Sequence, residues 1–300
     1  MFTLTARPRL RRLNRHTGAF WAFVMPSLAL FTVFFLVPLA LAIYLSFTNY
    51  DGWKTLDWRG LANYQKMFRD QTFFRALART GVYTLVSLPG KVLLPLLAAL
   101  LVTHARVRLK TLSRSLIYLS VLLSALVVGI TINWMFSQEY GLVNYLIITF
   151  GGQPLNWSLE DSLATLVVST ASNWASTGFY MVIFIGGLNS IPGELYEAGS
   201  IDGASGPQAF LRLTLPLLKP TTFLVVLLST INLLKEYTLV QGITQGGPGL
   251  STTYIIQHIF KKGFDQFEYG YASAMSIVVM LLFMALTFLQ FKLSRGGEVE

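Results

Sequence analysis

The chain has 300 residues, 53% hydrophobic and only 12% charged, about half the charged share of a typical soluble domain. It contains no cysteine, which excludes a disulfide framework and a thiolate metal site, and its three histidines (His16, His104 and His258) lie too far apart in sequence to suggest a ligand cluster. The net charge of +9 does not point to nucleic acid: Arg7, Arg9, Arg11, Arg12 and Arg15 precede the first apolar run, and Arg106, Arg108, Lys110 and Arg114 follow the second, as cytoplasmic flanks of a membrane protein do.

Five stretches of 23 to 34 residues between Thr17 and Phe291 are free or nearly free of Asp, Glu, Lys and Arg. Each can span a bilayer core, which needs about 20 apolar residues. The first uncharged run, Thr17 to Tyr50, is 34 residues long, more than a cleaved signal segment requires, so it is expected to stay as a helix over Ala19 to Phe47 despite Pro26 and Pro38. The segment Thr48 to Thr80 is polar and rich in Tyr50, Trp53, Trp58, Tyr64 and Phe68, which suits the headgroup region. Helix two is expected near Tyr83 to Val102, with Pro89, Gly90 and Lys91 inside it. Helix three is expected over Ser115 to Phe136, helix four over Leu163 to Leu188 and helix six over Gly270 to Phe291. The fifth has only 15 uncharged residues between Lys219 and Lys235, and reaches spanning length by running through Lys235 and Glu236 to Val240, with Pro220 at its first position. The fold class is therefore an all-α membrane protein with six transmembrane helices. Residues 1–18 form a basic cytoplasmic N-terminus, 19–293 the membrane domain and 294–300 a cytoplasmic C-terminus.

With the N-terminus inside, the inner segments carry thirteen Lys and Arg against eight outside. The positive-inside rule then favours cytoplasmic termini, although the six basic residues of 48–80 run against it.

The loop between helices four and five reads as a short helix, a glycine break and a second helix that feeds helix five. Pro192 suits a helix start, Glu194 and Glu197 suit early turns, and Gly203 suits a left-handed stop. Leu195, Ala198 and Ile201 form an apolar strip that needs a partner surface. Within it, Glu197-Ala198-Gly199 is followed after three residues by Gly203, and after nine more by Leu213-Thr214-Leu215-Pro216. This spacing resembles the signature of the permease subunits of binding-protein-dependent ABC importers. That signature is Glu-Ala-Ala, three residues, Gly, nine residues, Ile-x-Leu-Pro; Gly199 and Leu213 are the two departures. The resemblance implies a coupling helix at about 191–216 that docks on a cytoplasmic ATPase subunit. Glu197, Ala198, Gly199, Asp202, Gly203, Leu215 and Pro216 are its expected coupling residues. Thr244-Gln-Gly-Gly-Pro248 with Thr252 or Thr253, Gly270-Tyr-Ala-Ser-Ala274, Pro38 with Ser46-Phe47, and Gly141-Leu-Val-Asn144 are similar to the carbohydrate-uptake branch of the same permeases.

Polar residues inside spans are costly and face a bundle interior or a cavity. Asn133 and Trp134 in helix three, Asn173, Trp174 and Tyr180 in helix four, and Asn232, Lys235, Glu236 and Tyr237 in helix five are the candidates for a solute path. Amides and aromatic rings suit sugar hydroxyls and C–H faces. The same residues also serve as interhelical hydrogen bonds and interface anchors, and both readings stand. Lys91 has no assigned role.

The resemblance implies a permease subunit of an ABC importer for a sugar or sugar-like solute, in the cytoplasmic (inner) membrane of a prokaryote. Its partners would be a second permease subunit, in a heterodimer, two cytoplasmic ATPase subunits and an extracytoplasmic solute-binding protein. No Gly-x-x-x-x-Gly-Lys-Ser/Thr occurs, so the chain itself would bind no cofactor, with ATP and Mg on the ATPase subunits. A secondary transporter would need ion-coupling groups, for which only Lys91, Lys235 and Glu236 offer themselves, and no inverted repeat is visible. A membrane enzyme would need a carboxylate pair or an activated nucleophile beside a span, and none is found.

Overall fold

The computed structural model describes residues 14–53, 56–103, 109–157 and 160–295. Arg7, Arg9, Arg11, Arg12, Lys54, His104, Arg106, Arg108 and residues 296–300 lie outside the described residues. The described chain is helical, with one isolated bridge between Thr48 and Trp58.

The first span is α1 (Asn14–Phe31) and α2 (Val37–Ser46), joined by a π turn over Thr32–Leu36. It is apolar on every side and stands away from the rest, with Phe23 85% and Phe34 75% exposed. Only its second half is fastened, where α2 packs along the last helix, Tyr269–Arg295, and its end is tied down by hydrogen bonds. Asn63 Nδ2 donates to the carbonyls of Ser46 (2.9 Å) and Thr48 (2.7 Å), and the Ser46 and Tyr64 hydroxyls lie 2.8 Å apart. These contacts tie α2 to α3 (Ala62–Arg69), the amphipathic helix of the aromatic-rich segment.

The second span, α4, runs from Gln71 to Thr103 and starts twelve residues before the expected Tyr83. Asp70 accounts for the early start: its Oδ1 accepts from the N–H of Thr72 (2.8 Å) and Phe73 (3.3 Å), satisfying orphan donors of the first turn. Burial pushes the Asp70 carboxyl up, but hydrogen bonds from the Tyr271 hydroxyl and those two amides, with His258 nearby, outweigh it and hold the group below its ordinary value. At about 1.5 Å per residue α4 is about 50 Å long, well beyond a hydrocarbon core of about 30 Å. The three apolar clusters follow it like storeys. Phe73 and Ala76 pack with Ile255 and Met275 at one end, Tyr83 with Val168, Leu233 and Tyr254 in the middle, and Leu96 and Ala99 with Phe184 and Val225 at the other.

Pro89 and Pro95 do not open α4, which is continuous through both. Gly90 is explained by α8 (Asp161–Asn189): a Cβ at Gly90 would lie 2.0 Å from Asn173 Nδ2, so a side chain there would have to displace the Asn173 amide that packs into the crossing. The Ser87 and Ser169 hydroxyls, 2.8 Å apart, stitch the same pair of helices one turn away.

Two spans depart from the expected straight helices. The third is α5 (Lys110–Leu122) and α6 (Ala125–Met135), bent by 93°. Ser124 has extended backbone and stands at the N-cap of α6; a window-averaged hydropathy over the apolar run carries no trace of the bend. The fifth is α12 (Lys219–Leu234), which stops before Lys235 instead of continuing to Val240. After a break at 235–237 comes α13 (Thr238–Ile243). The expected helix runs through Lys235 and Glu236, but the structure breaks it there and turns Glu236 inward to the Ser172 hydroxyl (3.4 Å). The remaining elements are α7 (Leu142–Thr149), α9 (Gly193–Ile201), α10 (Gly206–Ala209), α11 (Leu215–Leu217), α14 (Ile255–Phe260) and the sixth span, α15 (Tyr269–Arg295). Three helices are long and apolar enough to cross singly, and three bent pairs raise the number to six.

Candidate functional site

The loop expected to couple to an ATPase follows α8 directly. Pro192 caps α9, and the last turn closes with Asp202 N–H to Ala198 O (3.0 Å), Gly203 N–H to Ser200 O (3.1 Å) and Ala204 N–H to Gly199 O (2.9 Å). Gly203 adopts φ +77°, the left-handed conformation expected of a helix stop. Ser205 then opens α10 with a capping box whose return arm is its own N–H to Gln208 Oε1 (2.8 Å). A π turn over Phe210–Thr214 leads into α11, where Pro216 sits in the first turn. The Tyr196 hydroxyl and Thr214 Oγ1, 2.9 Å apart, hold α9 against this second arm.

On that frame Leu195 is 40% and Ile201 86% exposed, and Ala198, Glu197 and Asp202 are exposed beside them. The strip is uncovered by the described chain, and Glu197 has no ion-pair partner among the described residues. The two positions that depart from the signature touch each other. A Cβ on Gly199 would stand 3.1 Å from Leu213 Cδ1, so the leucine tip occupies part of the room an alanine methyl would take.

The solute-path candidates divide into groups. Tyr180, Asn232, Lys235, Glu236 and Tyr237 line one cavity of about 480 Å³, together with Lys91, Ser120, Ser172 and Ser176. It is bounded by both chain breaks, Leu123 on one side and residues 235–237 on the other. Irregular backbone at membrane depth is tolerated where it lines a cavity or is buried in protein. Asn232 Nδ2 donates to the buried Tyr180 hydroxyl (2.7 Å), which fixes both rims. Lys91, 3% exposed, donates to Ser172 O (3.3 Å) and Ser176 Oγ (3.0 Å). Asn133 lies elsewhere: its amide donates to Ile243 O, fastening α6 to α13 beside a second cavity. Asn173 packs on Gly90, while Trp134 and Trp174 are 65% and 50% exposed on outer faces of the chain.

Sequence reasoning left out the serines. Ser120, Ser172 and Ser176 do not stand out in a hydropathy scan, yet the spacing of Ser172 and Ser176, one helical turn apart and one turn before Tyr180, places them on one face. The residues similar to the carbohydrate branch act as fasteners. The Thr244 and Thr252 hydroxyls lie 2.6 Å apart, and Thr252 Oγ1 donates to Gly247 O (2.7 Å) across the Gly-Gly-Pro turn. Asn144 accepts from Leu155 N–H (3.0 Å) and Trp157 Nε1 (3.1 Å), closing its own loop. Among the described residues no group of His, Asp and Glu is placed to hold a metal ion.

The lactose transport system permease protein LacF of Rhizobium radiobacter is 31% identical to this chain, over 97% of it and 98% of LacF. The multiple sugar-binding transport system permease protein MsmF of Streptococcus mutans is 30% identical, over 96% of this chain and 98% of MsmF. In fold the chain matches a crystal structure of a bacterial ABC transporter that imports alginate, with TM-score 0.84 and 21% identity, over 97% of this chain and 100% of that one. The family model "Binding-protein-dependent transport system inner membrane component" matches residues 61–296, from the amphipathic helix α3 through both broken spans and the coupling loop to the end of α15. The chain therefore belongs to that family and is a multi-pass membrane permease component of an ABC importer.

Proposed function

We propose that the chain forms half of a translocation pathway for a sugar or sugar-like solute, with both termini in the cytoplasm. The observation that carries this reading is the polar cavity at the two broken spans. Hydroxyl, amide, ammonium, carboxylate and phenol groups converge there between apolar helices. Such a set can exchange hydrogen bonds with a polyhydroxyl solute. The names of the relatives, which include lactose, arabinooligosaccharide and multiple-sugar permeases, support the same class.

The cavity is not closed by this chain. Asn232 and Lys235 are exposed, and neither suits hydrocarbon, so a second permease subunit covers that side. An apolar groove of about 950 Å³ between α12, α14 and α15, lined by Phe260, Phe283 and Phe288, continues the same open face. A solute-binding protein delivers the sugar from outside; a structural neighbour was solved in complex with such a periplasmic protein. Two ATPase subunits hydrolyse ATP, and α9 transmits their closure, with Glu197 pairing to a basic residue on one of them.

The test is uptake of tritiated lactose, raffinose and arabinotriose by the complete complex in proteoliposomes. Asn232→Ala reduces uptake while complex assembly and basal ATP hydrolysis stay near normal. Unchanged transport kinetics would make Asn232 an interhelical bond only and remove the cavity from the pathway.

A further inference from the structure

Lys91 is the one charged residue inside α4 along the apolar stretch from Thr80 to Thr103, and at 3% exposure it is deeper than any other Lys of the described chain. An isolated lysine at such depth is unfavourable, so something in the fold must answer its charge. Its answer is indirect. The ammonium donates to the Ser172 carbonyl and to the Ser176 hydroxyl, and Ser176 in turn donates to that same carbonyl (2.8 Å). Ser172 Oγ meanwhile donates to Glu236 Oε2. One residue of α8 thus holds the cation through its backbone and the anion through its side chain. Lys91 and Glu236 do not form a direct ion pair.

Three elements meet at this relay: α4 through Lys91, α8 through Ser172, and the break between α12 and α13 through Glu236. A direct ion pair would saturate both charges with each other. With the serine spacer, and with the backbone amides of Tyr237 and Leu239 also donating to it, the carboxylate keeps acceptor capacity that a direct ion pair would take up, while its charge is compensated across a low-dielectric wall. The Tyr180 ring lies 6.0 Å from the same ammonium and carries the hydroxyl that receives Asn232, so the cation also borders the aromatic wall of the cavity.

We propose that Lys91 is a positioning residue of the solute path: through Ser172 it holds Glu236, and with it the break at 235–237, as an ionised acceptor for a solute hydroxyl. This rests on the proposed pathway, so its test has one arm that needs no solute. The chain has no cysteine, and Thr238, exposed at the first turn of α13 on the cavity wall, takes a unique reporter as Thr238→Cys. In the full complex with cysteine-free partners, the rates of reaction of the introduced thiol are measured with a cationic (trimethylammonium-ethyl) and an anionic (sulfonato-ethyl) methanethiosulfonate. Lys91→Met raises the cation-to-anion rate ratio about threefold to tenfold, and Glu236→Gln lowers it similarly. The double variant returns to within about twofold of the native ratio, and Lys91→Arg leaves it there. In the second arm, uptake of the same tritiated sugars falls in Lys91→Met and is restored by Lys91→Arg. If Lys91→Met fails to insert, Glu236→Gln against the double variant, with the Lys91→Arg rescue, carries the same comparison. Equal ratios in all variants, or a double variant displaced from the native ratio as far as either single variant, overturn the proposal. So does native uptake in Lys91→Met. If the native complex transports none of the three sugars, that counts against the sugar reading, and the labelling arm still decides the role of Lys91.

Discussion

Gly203 offers a clean test of whether the coupling loop works through its shape. It sits at φ +77° and nothing lies within 4 Å of where a Cβ would stand, so a side chain there meets no clash within the chain. The cost of substitution is then purely conformational. Asparagine visits the left-handed region readily and costs under about 1 kcal/mol, and alanine costs about 1–2 kcal/mol. Valine, β-branched, costs more than alanine, enough to move the turn to another conformation. A loss of about 2 kcal/mol changes the population of the docked turn about thirtyfold. Solute-stimulated ATP hydrolysis of the purified complex should therefore fall in the order Asn, Ala, Val, with Gly203→Val abolishing stimulation and weakening retention of the ATPase subunits. Membrane insertion stays intact in all three. If Gly203→Asn is as damaging as Gly203→Val, the turn conformation is irrelevant and the position is instead in contact with the partner. Full stimulation in Gly203→Val would remove the loop from coupling altogether.

Glu197→Ala separates docking from folding: it changes the chain's own stability by under about 0.5 kcal/mol, since the carboxylate is exposed, yet abolishes stimulation. The reason is that a basic group buried on the ATPase would be left unpaired at about 3–5 kcal/mol, and preserved stimulation refutes the pairing. Gly90→Ala should destabilise the solubilised complex by about 1–3 kcal/mol in thermal unfolding, because its methyl would collide with Asn173 Nδ2, and adding Asn173→Ala should recover most of the loss. Failure of that rescue would place the strain elsewhere along α4. Cysteines introduced in place of Ser113 and Ser205 should be labelled only from the cytoplasmic side and one in place of Gln153 only from outside. Ser158, in the same segment, lies outside the described residues. Labelling of 205 and 153 from one face contradicts the six-span topology.

Where the sequence reading and the structure diverge, the cause is local backbone geometry hidden by uniform hydropathy. The bend at Leu123–Ser124 involves no proline or glycine, and its one local signal, a serine at the start of α6, is too common inside membrane helices to mark a turn through 93°. The early start of α4 was legible in principle, since Asp70 is a good N-cap residue, but the charges of 69–79 obscured it against the apolar signal. The coupling loop was legible because its information is local: a proline start, a glycine stop and a fixed spacing specify turns without reference to the rest of the fold.

The sequence by itself determined that this is an all-α multi-pass membrane chain with a helix–glycine–helix loop at about 191–216, because bilayer solvation and helix-end chemistry act on contiguous residues. Only the tertiary structure decided which polar groups share a space. It brought Lys91, Ser172, Tyr180, Asn232 and Glu236 together, left Asn173 as a packing partner of Gly90, and turned Trp134 and Trp174 outward. Those outcomes depend on which helix faces which, and on where a span breaks to satisfy a buried charge. Neither is encoded in the spacing of residues along a single helix.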